Sequence, residues 1–398
     1  MARTHYSEIE GRSPGFYVLL GMLGALILGG LAATWYMEHN GHYVTGMSNR
    51  IVWGMPHVFA IFLIVAASGV LNVASIASVF GRALYKPLAR LSGLLAVTLL
   101  AGGLAVLVLD LGRPERLIVA MTHYNFKSIF AWNIFLYTGF YAIVAVYLWT
   151  MFERRMNDYS KPAGLVAFVW RLVLTTGTGS IFGFLVAREP YNSALLAPMF
   201  IILSFSFGLA IFVLVLMAAC RWTGRPLGDL VLRRLGNLLG VFVAAVLYFA
   251  AIYHLTNLYI ARQHDVERFF LWEGGIYTAL FWLGQVLIGG VVPLVLLFGV
   301  SSRRALAAAA ACVIAGGLAQ LYVLIIGGQA YPQLMFPEKE VASSFFDGMV
   351  AAYAPSLPEV ALGVGGIALA LALTAVALKV LPFLPKSLAD SDVEPAAA

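Results

Sequence analysis

Charge is what this sequence has least of. Asp, Glu, Lys and Arg make up 11% of its 398 residues, while 61% are hydrophobic, and the mean hydropathy is +0.89. Soluble domains carry about 25% charged residues, so a water-soluble globule is excluded. Cysteine is nearly absent as well. Cys220 and Cys312 stand far apart, with no CxxC, CxxCH or four-cysteine set. The chain itself is therefore expected to hold no iron–sulfur cluster and no c-type haem, and both thiols read as small buried hydrophobes. Long polar stretches are missing too. The longest, Gln329 to Glu359, has room for a surface lid but not for a separate soluble catalytic domain. No small-residue cleavage site follows Glu8 and Glu10, so the first apolar run is read as retained.

What the sequence does have is apolar runs. They lie near Phe16–Tyr36, Ile51–Val79, Leu88–Leu109, Ile129–Phe152, Leu165–Val186, Leu195–Ala219, Leu235–Ile260, Ile276–Val300, Ala305–Gly328 and Val360–Val380. Each approaches or exceeds the ~20 helical residues that cross a ~30 Å hydrocarbon layer. Helices are the economical choice because lipid leaves backbone N–H and C=O groups unsatisfied. The expectation is an all-α integral membrane protein, one polytopic domain over residues 1–398 with about ten transmembrane helices. Runs two to five and six to nine suit two four-helix bundles plus two additional helices. Pro293 lies inside the eighth run and is expected to kink it, and the 39 glycines suit close helix packing.

The charges that remain are placed unevenly. Loops after the second, fourth, sixth and eighth runs hold twelve Lys and Arg, and the tails four more; the opposite loops hold eight, against eleven acidic residues. The positive-inside rule therefore puts both termini in the cytoplasm. The net charge of +6 then reflects membrane topology and gives no reason to expect a nucleic-acid partner.

Under this topology the ionisable groups gather at the extracytoplasmic ends. His57 opens the second run in Trp53-Gly-Met-Pro-His57. Asp110 closes the third, followed by Arg113. Lys127, Asn133 and Tyr137 open the fourth. Tyr253, His254 and Asn257 close the seventh. The cytoplasmic half offers Asn72, Arg171, Asn237 and hydroxyls. Each group also has a plain structural reading. His57 and His254 suit packing histidines, Asp110 an ion pair with Arg113, and Arg171 a side chain that snorkels to the interface or belongs to a proton path. Intramembrane acids and bases nonetheless mark function by default. A quinol head group needs hydrogen bonds to two oxygens and acceptors for its protons, and His, Asp and Tyr at an apolar boundary supply both.

The run Asp110-Leu-Gly-Arg113-Pro114, with His123-Tyr-Asn125-Phe-Lys127-Ser leading into Trp132-Asn133, resembles the DLGRP signature of the NrfD/polysulfide-reductase membrane-subunit family. The segment from Tyr253-His254 through Gln263-His264 to Phe269-Phe270 is most similar to the membrane subunit of Dsr sulfur-metabolism complexes. The resemblance covers nearly the whole chain. It implies a haem-free anchor that interacts with a quinone (menaquinone or ubiquinone) and is not catalytic alone. It also implies docking to an extracytoplasmic ferredoxin-like iron–sulfur subunit, with a multihaem cytochrome c and a b-type cytochrome membrane subunit as further partners. By position, the resemblance makes His57, Asp110, Asn133 and Tyr137 quinone-site residues; Trp53, Arg113, Lys127 and His254 complete the candidate set from the reading of the helix ends, with His57 and Asp110 handling protons.

Two other classes compete. A secondary transporter or proton-translocating subunit would place polar groups at the bilayer midplane, where Gln285 and Gln320 fall. A b-type cytochrome would need paired axial histidines, and only His57 and His254 lie within the runs.

Overall fold

A computed structural model of the chain describes residues 5–333 and 348–393. Among these are ten helices long and apolar enough to cross a membrane: α1 (Pro14–Asn40), α2 (Met55–Ser78), α3 (Ala83–Leu109), α4 (Ile129–Phe152), α5 (Arg154–Gly183), α6 (Leu196–Thr223), α7 (Asp229–Tyr259), α8 (Ile276–Gly299), α9 (Arg303–Ala330) and α10 (Leu357–Val380). Local chemistry sets several boundaries. Ser13 caps α1 by accepting from Phe16 N–H at 3.2 Å, and Pro14 follows at the first position. Such a proline costs nothing there, since its missing N–H has no helical partner. Ser356 and Glu359 form a reciprocal capping box on α10. Gly224, with φ +64°, ends α6.

Packing divides the helices into two quartets. In the first, α2, α3, α4 and α5 contact one another in a closed ring; in the second, α6, α7, α8 and α9 do the same. α2 touches α6 and α9 across the seam, and 94% of an 18-residue apolar stretch of it is buried, against 11% of the same length in α1. α2 is thus the hub of the molecule. The seam is tight because glycines face backbone. A Cβ on Gly69 would collide with the Ser204 carbonyl oxygen, and one on Gly208 with the backbone nitrogen of Val70. α1 packs chiefly on α10, and α10 on α3 and α2, so these two helices flank the first quartet.

The tails meet at one end of the molecule. Tyr6–Ser7 (β1) pairs antiparallel with Leu384–Pro385 (β2), and Arg225 from the α6–α7 turn donates to the carbonyls of Ser7, Glu8, Leu384 and Pro385 at 2.8–3.2 Å. Tyr6 is pushed up to about 12 by burial, opposed by Arg90, whose guanidinium lies 4.0 Å over its ring. Both tails therefore lie at the same end, as an even number of crossings requires.

Pro293 does not simply kink α8. A π-helical run, Leu280–Val291, precedes it, and α-helix resumes at Val292–Gly299. A proline removes a donor and crowds the preceding turn, and the wider π turns accommodate it. The lid expected over Gln329–Glu359 falls partly on residues 334–347, outside the described residues. Gln329 itself is buried in the last turn of α9.

Candidate functional site

At the end opposite the tails, α2 begins where α3 stops. The first turn of α2 carries His57, and Asp110 caps the end of α3. Their side chains meet, His57 Nδ1 standing 3.0 Å from Asp110 Oδ2, with the carboxylate side chain 1% and the imidazole 22% exposed. The pairing with Arg113 that sequence spacing allows is not formed: Arg113 is exposed and Asp110 faces His57. The chain turns at Gly112 with φ +69°, a left-handed conformation that suits a residue without Cβ. His42 Nε2 lies 3.1 Å from where such a Cβ would be.

The distance between His57 and Asp110 is that of an ion pair, but the atoms are not aligned for a hydrogen bond. His57 Nδ1 and both Asp110 carboxylate oxygens are buried without a hydrogen-bond partner, and so are Asn133 Oδ1 and His42 Nε2. Unpaired buried polar atoms cost about 1–3 kcal/mol each, and a cluster of them at one helix end is what a polar ligand would satisfy. Asn133 is held from behind. Its amide Nδ2 donates to Ile129 O at 2.9 Å and Gly177 O at 3.2 Å, leaving Oδ1 free.

Trp53 forms an aromatic wall. Its ring centroid is 6.2 Å from that of His57, 6.1 Å from Phe130, 5.6 Å from Phe182 and 6.3 Å from Tyr191. The segment carrying it is bolted from the second quartet and from α10. Gln329 Oε1 accepts from Val52 and Trp53 N–H at 2.9 and 3.1 Å, while Nε2 donates to Trp53 and Ile325 carbonyls at 3.0 and 2.8 Å. Arg188 donates to the carbonyls of Gln329 and Arg50. Glu359, fully buried, accepts from Gly46 N–H and from the Tyr353 hydroxyl, which itself accepts from Met55 N–H at 2.6 Å. Burial, then the Glu359 carboxylate, raises Tyr353 well above the ordinary phenol range, so it remains a donor.

The other expected residues divide. Asn133 and Tyr137 are buried on α4, in the same quartet as His57. Lys127 is exposed beside the short helix Leu117–Thr122, of which no residue is buried. His254 belongs to the second quartet, where its Nδ1 lies 2.6 Å from Glu267 Oε2 and Asn257 Nδ2 donates to Glu267 Oε1 at 2.8 Å. His57 and His254 thus engage different carboxylates in different quartets. Arg171 does not snorkel. It is 0% exposed, donates to Asn72 Oδ1 at 2.8 Å and lies over the rings of Phe168 and Phe205 at 4.8 and 5.0 Å.

Gln329, Tyr353, Glu359 and Glu267 are additions to the expected set. Glu359 had a signal, Ser356-x-x-Glu359, the capping-box spacing. Glu267 sits in a charged stretch, His264-Asp-Val-Glu-Arg268, that reads as surface.

The profile of the polysulphide reductase NrfD family matches residues 43–333, from the strap before α2 to the end of α9. The chain belongs to this family. A protein similar to it along nearly its full length is the Hdr-like menaquinol oxidoreductase integral membrane subunit of Archaeoglobus fulgidus, 29% identical, covering 98% of this chain and 99% of the relative. A putative dimethyl sulfoxide reductase membrane subunit of Halobacterium salinarum is 27% identical over 91% of this chain and 90% of its own length. The protein NrfD of Escherichia coli is 25% identical over 70% of this chain and 95% of its own length. With its ten apolar helices and these relatives, the chain is a multi-pass protein of the cytoplasmic membrane.

Proposed function

We propose that this NrfD-family chain is the quinone-interacting membrane subunit of a redox complex, and that His57 and Asp110 form the proton-handling end of its quinone site. One observation carries the reading: the site residues fit the group. His57 Nδ1, both oxygens of Asp110 and Asn133 Oδ1 are buried, unpartnered and gathered where α2, α3 and α4 have their ends. A hydroquinone supplies two electrons and two protons when it is oxidised, and its ring hydroxyls are donors for such acceptors. His57 accepts a hydrogen bond and then a proton. Asp110, at 3.0 Å, stabilises the imidazolium that results. Asn133 orients an oxygen, and Trp53 gives the ring an apolar face. Arg113 and Lys127, both exposed, suit the docking surface better than the pocket.

By the charge distribution, the site opens at the extracytoplasmic face, where electrons would pass to a ferredoxin-like iron–sulfur subunit. The likeness to a menaquinol oxidoreductase subunit supports menaquinol as donor. Sulfur-linked electron transport, with a multihaem cytochrome c and a b-type cytochrome subunit as further partners, is the setting implied by the likeness to the Dsr membrane subunit. In the assembled complex, His57→Gln is expected to lower quinol-dependent turnover about 10²-fold, the usual contribution of a general base, with assembly unchanged. Wild-type turnover in that variant would overturn the assignment.

A further inference from the structure

The second quartet contains a largely apolar cavity, with two amides and an imidazole in its wall, that the quinone reading does not use. Between α6, α7, α8 and α9 lies a cavity of about 30 Å³, bordered by Met199, Ala250, His254, Phe281, Gln285 and Gln320. A water molecule needs about 10–15 Å³ on this scale, so the space admits about two waters and is far too small for a quinone ring. Gln285 and Gln320 are 7% and 5% exposed, and neither side-chain amide has a hydrogen-bond partner among the described residues. They lie nine residues into α8 and ten from the end of α9, roughly 13–15 Å from those ends at 1.5 Å per residue, close to mid-depth. His254 is five residues from the end of α7. The cavity therefore runs from the middle of the membrane toward the end opposite the tails.

Its walls are unusual in their backbone. Phe270, Gln285 and Val323, all lining residues, belong to the π-helical stretches Phe269–Glu273, Leu280–Val291 and Val323–Gly327. Such turns are rare and recur at functional sites. At the upper end, the His254–Glu267 pair is fixed by Asn257 and by the edge of Phe281, whose ring centroid is 4.7 Å from that of His254. His254 Nε2 bonds no protein group among the described residues.

We propose that this cavity is a hydrated chamber, its waters held by Gln285, Gln320 and His254 Nε2, and that the His254–Glu267 pair takes up and releases a proton through them. A neutral imidazole beside a carboxylate carries one negative charge; one added proton gives imidazolium–carboxylate, neutral as a pair and suited to a low dielectric. Tyr253 on α7 lies against the pair, its ring centroid 5.1 Å from that of His254; Asp265 and Arg268 share the segment of Glu267, and the neighbouring elements carry Tyr277 on α8, Tyr322 on α9 and Arg188, Glu189 and Tyr191 in the α5–α6 connection. Among the described residues no arginine or lysine pairs with Glu267.

Radiolytic hydroxyl labelling of the intact complex in membranes tests the chamber, because bound internal water oxidises the side chains it touches. Phe270 and Phe281 are expected to label severalfold faster than the comparably buried Phe207 and Phe212, and Ala250→Leu to remove the difference. Equal labelling of all four rings would overturn the hydrated chamber. Infrared difference spectra across a pH step test the proton. D2O-sensitive imidazole bands are expected that vanish in His254→Gln, shift in Glu267→Gln and persist in His57→Gln. If no band depends on His254 or Glu267, the pair holds no exchangeable proton. Persistence in His57→Gln separates this site from the quinone site, so either can fail alone.

Discussion

At the scale of single residues, the decisive facts are which buried polar atoms have partners. Asp110 and His57 act as one unit in this reading, so Asp110→Asn should lower quinol turnover, and the double variant with His57→Gln should be no worse than His57→Gln alone, as expected of interdependent groups. Steady-state turnover of the three variants decides it. Arg171 tests the opposite case. It is a buried cation with Nε and Nη1 unpartnered, and an apolar side chain of similar volume often replaces a buried charge without loss. Arg171→Met should leave the melting temperature unchanged or raised. Asn72→Ala removes the one side chain among the described residues that is hydrogen-bonded to the Arg171 guanidinium and should cost about 2 kcal/mol, seen as a lower melting temperature. Single residues were also where the sequence was least explicit. His57 and Asp110 stood out because acids and bases are scarce in apolar runs. That they pair, while Arg113 faces solvent, depends on where α2 and α3 end in space. Arg171 reads as a snorkelling side chain from its distance to a span end, yet it is enclosed by α2 and α6, which one helix's sequence does not reveal.

Among elements, the key relation is that α9, in one quartet, fixes a wall of the site in the other. All four hydrogen bonds of the Gln329 amide are intramolecular, and three go to the backbone of Val52 and Trp53. Gln329→Ala leaves those groups unpaired and should raise KM for quinol more than it lowers kcat, because Trp53 shapes binding and takes no proton. Gly54→Ala should be more severe: its Cβ would collide with Glu359 Oε1 and stand 2.8 Å from the Tyr353 hydroxyl, displacing the start of α2. Helix existence was legible throughout, since hydrocarbon thickness dictates run length, and Ile129–Phe152 is found with the expected ends. The π-helical stretches were not legible. Their apolar residues satisfy a 3.6-residue period as well, and Pro293 marks a break in α8 without specifying which kind of turn relieves it. Glu267 was hidden for a related reason, its short helix being folded inward against α7.

For the molecule as a whole, one clasp gathers the tails, the α6–α7 turn and the start of α3. Arg225→Ala and removal of the residues after Pro382 disrupt the same set of hydrogen bonds. Each should lower the melting temperature in detergent, and the two together by little more than one alone, since neighbours in one network are not additive. Additive losses would mean that the clasp is two independent contacts.

The pairing of α1 with α10 has a consequence for biogenesis. α1 is made before the two quartets and is 11% buried over an 18-residue apolar stretch, and its main neighbour, α10, is made after them. Until the ribosome has delivered α10, α1 has lipid on nearly every side while the two quartets between can already associate. Docking of α1 thus waits for α10. A nascent chain stalled before residue 357 should carry its quartets and leave its first helix adrift in the bilayer.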